Sequence, residues 1–218
     1  KKILKSIKMN SKPFGLVIEP GMKFMHYKIL IPKFKNFKKN KLFSKRNNFV
    51  FEAHSSDYQP LVSLKKLVNN NFRFLKVGPE LTYYITRALF FMENIEKKFF
   101  LKNRSDIRKK ILIEMMKNKK YWFSYYSGQK KILKRLMLNS KIDRMRYYLN
   151  QNSIEKSRQV LKKNINKLNR DLVIKILKKR KENLIFQQDK KLSNFDIINL
   201  SYLSKSLNKY YKACGYDT

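Results

Sequence analysis

Short apolar runs alternate with helical patterns over the first hundred residues. Three of the runs are bounded by turn residues, which predicts buried strands; they cover residues 14–18, 48–53 and 72–77. Leucines at helical spacing predict a helix near residues 61–68, and a longer apolar stripe predicts another from Glu80 to about Phe99, with Pro79 in its first turn. This alternation predicts an α/β fold in which crossover helices connect parallel strands.

The rest of the chain has a different pattern. Residues 23–46 are long enough for a crossover connection, but their helical pattern is poor. Past residue 103 the strand signals stop, and apolar periodicity predicts helices over residues 107–117, 129–138, 154–168, 172–181 and 195–212. The sequence therefore predicts two parts: residues 1–102 with the βα units, and residues 103–218 as a helical extension.

The chain of 218 residues is strongly basic, with a formal net charge of +37. Such a charge first suggests an RNA- or DNA-binding protein. Lysine outnumbers arginine 41 to 11, however, and arginine is favoured for bidentate contacts with bases and phosphates. Lys, Asn, Ile, Phe and Tyr all have A/T-rich codons, so drift in an AT-rich genome explains the composition without a nucleic-acid partner. We therefore expect only non-specific binding of nucleic acid.

Membrane and secretory signals are missing from the sequence. The longest unbroken apolar runs have about five residues, far short of the ~18 that a transmembrane helix needs, and the basic start has no apolar core of a signal peptide. The single cysteine, Cys214, excludes a disulfide framework within the chain and fits a reducing, cytoplasmic compartment. The chain lacks an initiator methionine, which is compatible with a fragment.

Polar residues follow each predicted strand, at the edge where parallel α/β folds carry their chemistry. These residues suit a polar or phosphorylated ligand, because Gly78 lets the backbone approach an anion and the next helix offers free N–H groups and a positive dipole. The candidate binding residues are Glu19, Ser55, Ser56, Asp57, Lys76 and Gly78. Glu80 counts against an anion site because it could cap the helix itself. A capped helix with a structural turn is the alternative interpretation.

His54 is a candidate metal ligand or general base. The alternative is a hydrogen-bonded structural histidine, and without an HxH or HExxH pair the sequence gives no complete metal site.

Two further motifs also have two interpretations each. The aromatic cluster at residues 121–126 could stack bases or form a core. Residues 143–148 could bind phosphate or form an ion pair within the chain.

Several of these motifs together resemble the GatZ/KbaZ family. The segments that carry the resemblance occur in the family's order and spacing; they are Glu19-Pro20-Gly21, residues 51–59, 75–82, 121–126, 143–148 and 210–214. The family comprises the non-catalytic subunits of class II D-tagatose-1,6-bisphosphate aldolase, some of which are named tagatose-6-phosphate kinases. The departures include Lys23, where the family pattern has an acid, and Leu149, where it has Trp.

The resemblance implies the last three βα units of a TIM-type barrel related to class II aldolases, followed by a helical extension. It implies an accessory subunit of a lyase rather than a complete catalyst, in a hetero-oligomer with the catalytic class II aldolase subunit. The divalent metal, zinc, would lie in that partner, and no cofactor is assigned to this chain. Two alternatives stay open: a sugar-phosphate aldolase or tagatose-6-phosphate kinase-like protein acting alone, and a basic RNA-binding or ribosome-associated protein. The absence of a GxxxxGK[ST] loop counts against a kinase.

Overall fold

The computed structural model of the chain describes residues 14–34, 37–182, 184, 186–187 and 189–216. The strands in these ranges are β1 (Gly15–Ile18), β2 (Lys23–Phe24), β3 (Ile29–Leu30), β4 (Val50–Ala53) and β5 (Phe72–Leu75). The helices are α1 (Phe37–Arg46), α2 (Leu61–Asn69), α3 (Pro79–Phe99), α4 (Ile107–Lys117), α5 (Lys130–Asn139), α6 (Asn152–Asn166), α7 (Arg170–Lys179) and α8 (Asn194–Ala213). A 3-10 turn at Arg144–Tyr147 precedes α6.

The predicted parallel sheet is confirmed. Its strand order is β1-β4-β5, and both neighbouring pairs run parallel. The crossover between β1 and β4 contains an antiparallel hairpin of β2 and β3 before α1 begins. That mixture of extended and helical segments explains why residues 23–46 have a poor helical pattern.

The C-terminal helices lie where the periodicity predicts them, with small shifts at their ends. The α4 helix has the predicted bounds, whereas α6 begins at Asn152 and α7 at Arg170, each two residues before the predicted start. Side-chain caps explain two of the true starts. The Asn169 side chain accepts the N–H groups of the first turn of α7, and Ser193 forms a capping box with Asp196 at α8.

Two hydrophobic cores are present in the described ranges. The sheet core packs one face of the sheet against α1, α2 and the end of α8; its buried members are Met22, Phe37, Phe49, Phe51, Ala53, Leu64, Leu67, Phe72 and Ala213. The helical core is much larger and joins α3 to the helices that follow it. Its members run from Ala88 to Tyr202. The helix α3 precedes the predicted boundary near residue 103, yet it packs in one core with the helices that follow that boundary.

The opposite face of the sheet is uncovered in the described structure. Val17, Glu52 and Phe74 lie side by side in register across the three strands. Val17 is 60% exposed and Phe74 is 47% exposed. Parallel sheets in proteins are normally covered on both faces. In the described ranges this sheet has one covered face and one bare face, on which apolar side chains flank Glu52. None of the helices in the described ranges combines the length and hydropathy that crossing a bilayer requires.

Candidate functional site

The three strands of the sheet end at one edge, and the polar residues predicted there are neighbours. The His54 N–H donates to the Ile18 carbonyl at 3.0 Å, and the Lys76 N–H donates to the Ala53 carbonyl at 3.1 Å. These bonds continue the parallel ladder past the ends of the strands. Glu19, His54 and Lys76 therefore follow one another along the carboxyl edge of the sheet.

Asp57 holds the loop after β4 against the start of α3. Its Oδ1 accepts the N–H of Gly78 at 2.9 Å and that of Glu80 at 2.8 Å, and its Oδ2 accepts the Ser55 hydroxyl at 3.3 Å. Asp57 is buried. A carboxylate that accepts the first N–H groups of a helix is the standard N-terminal cap, favoured also by the helix dipole. The cap of α3 therefore comes from a residue more than twenty positions upstream.

Glu80, in the first turn of α3, in turn binds the loop after β4. Its Oε2 accepts the Tyr58 N–H at 2.5 Å and the Tyr210 hydroxyl at 3.1 Å, while its Oε1 lies 2.5 Å from the Lys209 ammonium. Glu80 is fully buried, and a buried carboxylate needs such charged and hydrogen-bonding partners. The sequence suggested that Glu80 caps its own helix; instead it binds the loop after β4 and the last turns of α8.

Tyr210 also fixes the backbone of the same loop. Its hydroxyl lies 2.9 Å from the Ser56 carbonyl, so its one proton is shared between this oxygen and the Glu80 carboxylate. The Ser56 N–H and hydroxyl both donate to the Lys76 carbonyl, at 2.7 and 2.9 Å. Burial, and after it the adjacent Glu80 carboxylate, raises the pKa of Tyr210, so its hydroxyl stays protonated and donates. We call Asp57, Glu80, Lys209 and Tyr210 the strand-end network.

Sequence reasoning did not find the roles of Lys209 and Tyr210. Both lie about 130 residues after Glu80 along the chain, and the helical pattern of α8 does not show which of its polar side chains enters the interior. The only signal was that residues 210–214 carry part of the family resemblance. A contact between such distant segments is visible only in the folded chain.

The network changes what an anion would meet at the start of α3. The N–H groups of Gly78 and Glu80 are bonded to Asp57, Leu81 donates to the Gly78 carbonyl, and Pro79 has no N–H. A Cβ placed on Gly78 would meet no atom within 4 Å, so space does not require glycine there. Binding of an anion at this edge would therefore depend on side chains rather than on the helix N-terminus.

The candidate residues divide into two groups by exposure. Glu19, Lys76 and Gly78 are exposed, and His54 and Ser55 are half-buried, so all five border the surface of the carboxyl edge. Ser56 and Asp57 are buried behind them and are hydrogen-bonded within the chain. Lys76 forms no ion pair with any acid in the described ranges, including Glu19 and Glu52.

His54 has no neighbouring ligands in the described ranges with which it could form a complete metal site. Among the residues that the structure describes, no group of three or more His, Cys, Asp or Glu side chains is placed to hold a metal ion. The other histidine, His26, lies 2.9 Å from the Ser140 hydroxyl and packs against the Tyr126 ring, which is a structural arrangement. The Cys214 thiol is exposed.

The two motifs with open interpretations make contacts within the chain. Trp122 and Tyr126 are buried in the helical core. Asp143 is also buried and accepts the Thr82 hydroxyl. Burial raises the pKa of Asp143 to about 6. Arg144 stacks on the Tyr125 ring, 3.9 Å from its centroid. Packing and hydrogen bonding thus account for Trp122, Tyr126 and Asp143, whereas Phe123 and Tyr125 are exposed. No ion pair within residues 143–148 is formed in the described ranges.

Comparisons with known proteins identify the same family that the sequence motifs resemble. The model of the family described as "D-tagatose-1,6-bisphosphate aldolase subunit GatZ/KbaZ-like" matches residues 7–215. A solved structure, that of a probable tagatose 6 phosphate kinase from Sinorhizobium meliloti 1021, superposes with a TM-score of 0.79 at 24% sequence identity. The match covers 92% of this chain and 52% of that one, so this chain spans about half the length of that protein.

The structural match shows a shared fold, and the family match confirms the resemblance that the sequence motifs indicated. Since that match covers nearly the whole sequence, the chain belongs to the GatZ/KbaZ-like family of D-tagatose-1,6-bisphosphate aldolase subunits.

Proposed function

We propose that this chain is part of the non-catalytic, stabilising subunit of a class II D-tagatose-1,6-bisphosphate aldolase. The observation that carries the proposal is the family match over residues 7–215. The complex would catalyse reversible retro-aldol cleavage to dihydroxyacetone phosphate and glyceraldehyde 3-phosphate. The catalytic partner subunit would hold the zinc ion, which supplies polarisation of the ketone and stabilisation of the enediolate.

The bare sheet face supports a place in a larger barrel. In a TIM barrel, side chains from all eight strands fill the interior, so no strand leaves an inward apolar face in water. Val17 and Phe74 are exposed on the face of the sheet away from the helices. We propose that β1, β4 and β5 are three strands of such a barrel, within a part spanning residues 1–102, and that residues 103–218 form the helical extension.

The strand-end network supports a stabilising role. Its two carboxylates, Asp57 and Glu80, are buried and bonded to backbone N–H groups, to Tyr210 and to Lys209. Carboxylates in such bonds fix the loops of the edge rather than exchange protons with a substrate. The exposed rim beside them, with Glu19, Lys76 and the half-buried His54, is available to a sugar phosphate or to the partner. The proposed setting is cytoplasmic carbohydrate catabolism, where a free thiol such as that of Cys214 stays reduced.

The test is the thermal inactivation of a catalytic class II tagatose-bisphosphate aldolase subunit, with and without this chain. We expect the two proteins to co-purify and the half-life of aldolase activity to lengthen when the chain is present, because binding to the folded form stabilises it by mass action. Lys209→Ala, which breaks the network, should reduce the effect. Lys212→Ala, on the exposed side of the same helix, should leave it intact.

Two results would contradict the proposal. Failure of the chain to co-purify, with an unchanged half-life, would remove the stabilising role. Cleavage of tagatose 1,6-bisphosphate by the purified chain with added zinc and no partner would show that the chain is itself catalytic.

A further inference from the structure

A cationic cavity lies away from the strand ends, among α3, α4, α5 and the segment from α7 to α8. Its volume is about 430 Å³. The charged side chains that line it are Arg87, Arg108, Arg180, Lys205 and Glu182. None of them belongs to the strand-end network or to the candidate residues of the carboxyl edge. A cavity of this size is within the range of small-molecule sites.

The residue types in this cavity differ from the rest of the chain. Lysine outnumbers arginine 41 to 11 in the sequence, yet three of the arginines and one lysine line this cavity. Drift towards A/T-rich codons would replace arginine by lysine wherever only a positive charge is needed. Arginine at three positions around one cavity is therefore a departure that composition does not explain. The planar guanidinium differs from an ammonium in its fixed fork of donors, which matches phosphate and carboxylate oxygens.

Two of these guanidiniums have no acidic partner. Glu182 is paired with Lys205 at 2.5 Å, and Arg108 with Glu93 at 2.6 Å. Across the described ranges, neither Arg87 nor Arg180 lies within 4.0 Å of a carboxylate oxygen. Burial lowers the pKa of Arg87, and nearby groups such as Asp143 offset only part of that effect. A bound anion would supply the missing compensation.

Arg87 is held by hydrogen bonds before any ligand arrives, whereas the exposed Arg180 only rests against an aromatic ring. Arg87 donates from Nη1 to the Asn139 Oδ1 at 2.8 Å and from Nη2 to the Leu138 carbonyl, and its buried Nε has no partner among the described atoms. Its Cζ lies 4.6 Å from the centroid of the Phe90 ring, and that of Arg180 lies 5.1 Å from the Phe91 ring. Stacking on aromatic rings leaves the edge of a guanidinium free to donate.

We infer that this cavity binds a small phosphorylated metabolite, whose phosphate group is held by Arg87 and Arg180. Arg108 lies at the same wall, with its guanidinium 4.7 Å from the centroid of the Phe90 ring, but its charge is balanced by Glu93. The Glu182–Lys205 pair closes the other side of the cavity without adding net charge. The inference depends on the cavity alone and is separate from the proposed function at the strand ends.

The test is calorimetric titration of the 218-residue chain with inorganic phosphate and, separately, with glycerol 3-phosphate. Both titrations are made at about 150 mM KCl, where exposed charges are screened as at physiological ionic strength. We expect saturable binding at one site. Arg87→Lys and Arg180→Lys keep the charge but lose the fork, so each should weaken binding about tenfold, which is the loss of roughly one charge-assisted hydrogen bond. The matched control is Arg158→Lys, at an arginine that is paired with Glu155 and lies outside this cavity.

The alternative is a diffuse attraction of anions to a chain of net charge +37. Many equivalent weak sites, or equal affinities in all three variants and the wild type, would overturn the inference. Tighter binding of glycerol 3-phosphate than of phosphate supports an organic phosphate, whereas equal single-site binding supports recognition of the phosphate group alone. Arg180 is exposed, so Arg180→Lys should fold normally and decides the question if circular dichroism shows that Arg87→Lys does not fold.

Discussion

The two hydrophobic cores of this chain bury their apolar residues in different ways. The helical core is formed by residues of α3 to α8, and members such as Ile111, Leu161 and Leu177 have no exposed surface. Among the described residues, the sheet core closes one face of β1, β4 and β5, while Val17 and Phe74 on the other face are exposed. The helices therefore bury their apolar residues against one another, whereas burial of the exposed sheet face requires further structure.

The α8 helix connects the two cores. Phe195 and Ile198 near its start pack in the helical core, and Ala213 at its end packs in the sheet core. Between them, Lys209 and Tyr210 reach the strand-end network. The α8 helix and the strand-end network thus join the sheet to the helical core, beside a second connection in which His26 and Tyr58 contact Ser140 and Lys141.

The largest effect should come from breaking the connection through α8. Lys209→Ala leaves the Glu80 carboxylate buried without its cation, and removal of one member of a buried ion pair costs about 3–5 kcal/mol. We expect the free energy of unfolding, measured in urea, to fall by that order. We also expect the sheet part to lose its structure before the helical part, as seen by hydrogen exchange at β4 and α4.

Lys212→Ala is the control, since Lys212 lies on α8 and is exposed. Its free energy of unfolding should change by less than about 0.5 kcal/mol. Equal losses in both variants would show that the Glu80–Lys209 pair does not connect the two cores.

A second pair of variants measures the difference between a closed core and a bare face. Leu161→Ala opens a cavity in the helical core and should cost about 2–5 kcal/mol. Val17→Ala removes apolar surface that is already in water, so it should change stability by less than about 0.5 kcal/mol. Urea unfolding of both variants checks this, and a comparable loss in Val17→Ala would mean that the sheet face is covered in solution.

Most elements of the fold could be predicted from the sequence. The strand at β4 and the helix α4 follow directly from local apolar patterns, because each buries a run or a stripe whose period matches its geometry. The β2–β3 hairpin was missed. Its two strands have two residues each, which is too short for an alternating pattern to appear.

The candidate site was predictable in position but not in connectivity. Parallel strands imply one carboxyl edge, so the neighbourhood of Glu19, His54 and Lys76 follows from the strand assignment. Nothing local shows that Asp57 caps α3 or that Lys209 pairs with Glu80. Those bonds join segments that are distant in sequence, and several donors could have served each acceptor equally well.

A smaller effect should come from the pH, at a buried carboxyl group on the helical side of the connection. Burial raises the pKa of Asp143 to about 6 from its ordinary value of 3.8, so the folded chain binds this proton more tightly than the unfolded chain does. Folding is therefore favoured by the protonated form, and this contribution is lost as the pH rises from about 4 to above 6. Each unit of pKa difference corresponds to about 1.4 kcal/mol.

The comparison variant is Asp143→Asn, which keeps an acceptor for the Thr82 hydroxyl but does not ionise. Urea unfolding of both proteins at pH 4, 5, 6 and 7 should show the wild type losing stability relative to Asp143→Asn with rising pH. The reverse trend would mean that the charged carboxylate is stabilised where it lies.

The smallest effect on stability should come from the rim of the carboxyl edge. Lys76 is exposed and without an ion pair among the described residues, so Lys76→Ala should change the free energy of unfolding by less than about 0.5 kcal/mol. If a sugar phosphate binds at this edge, Lys76 is the exposed cation that directly follows β5, and its loss should weaken binding about tenfold. Titration of wild type, Lys76→Ala and the exposed-lysine control Lys65→Ala with tagatose 6-phosphate checks this. Unchanged affinity in Lys76→Ala would remove the phosphate role from Lys76, and an equal loss in both variants would indicate general charge attraction.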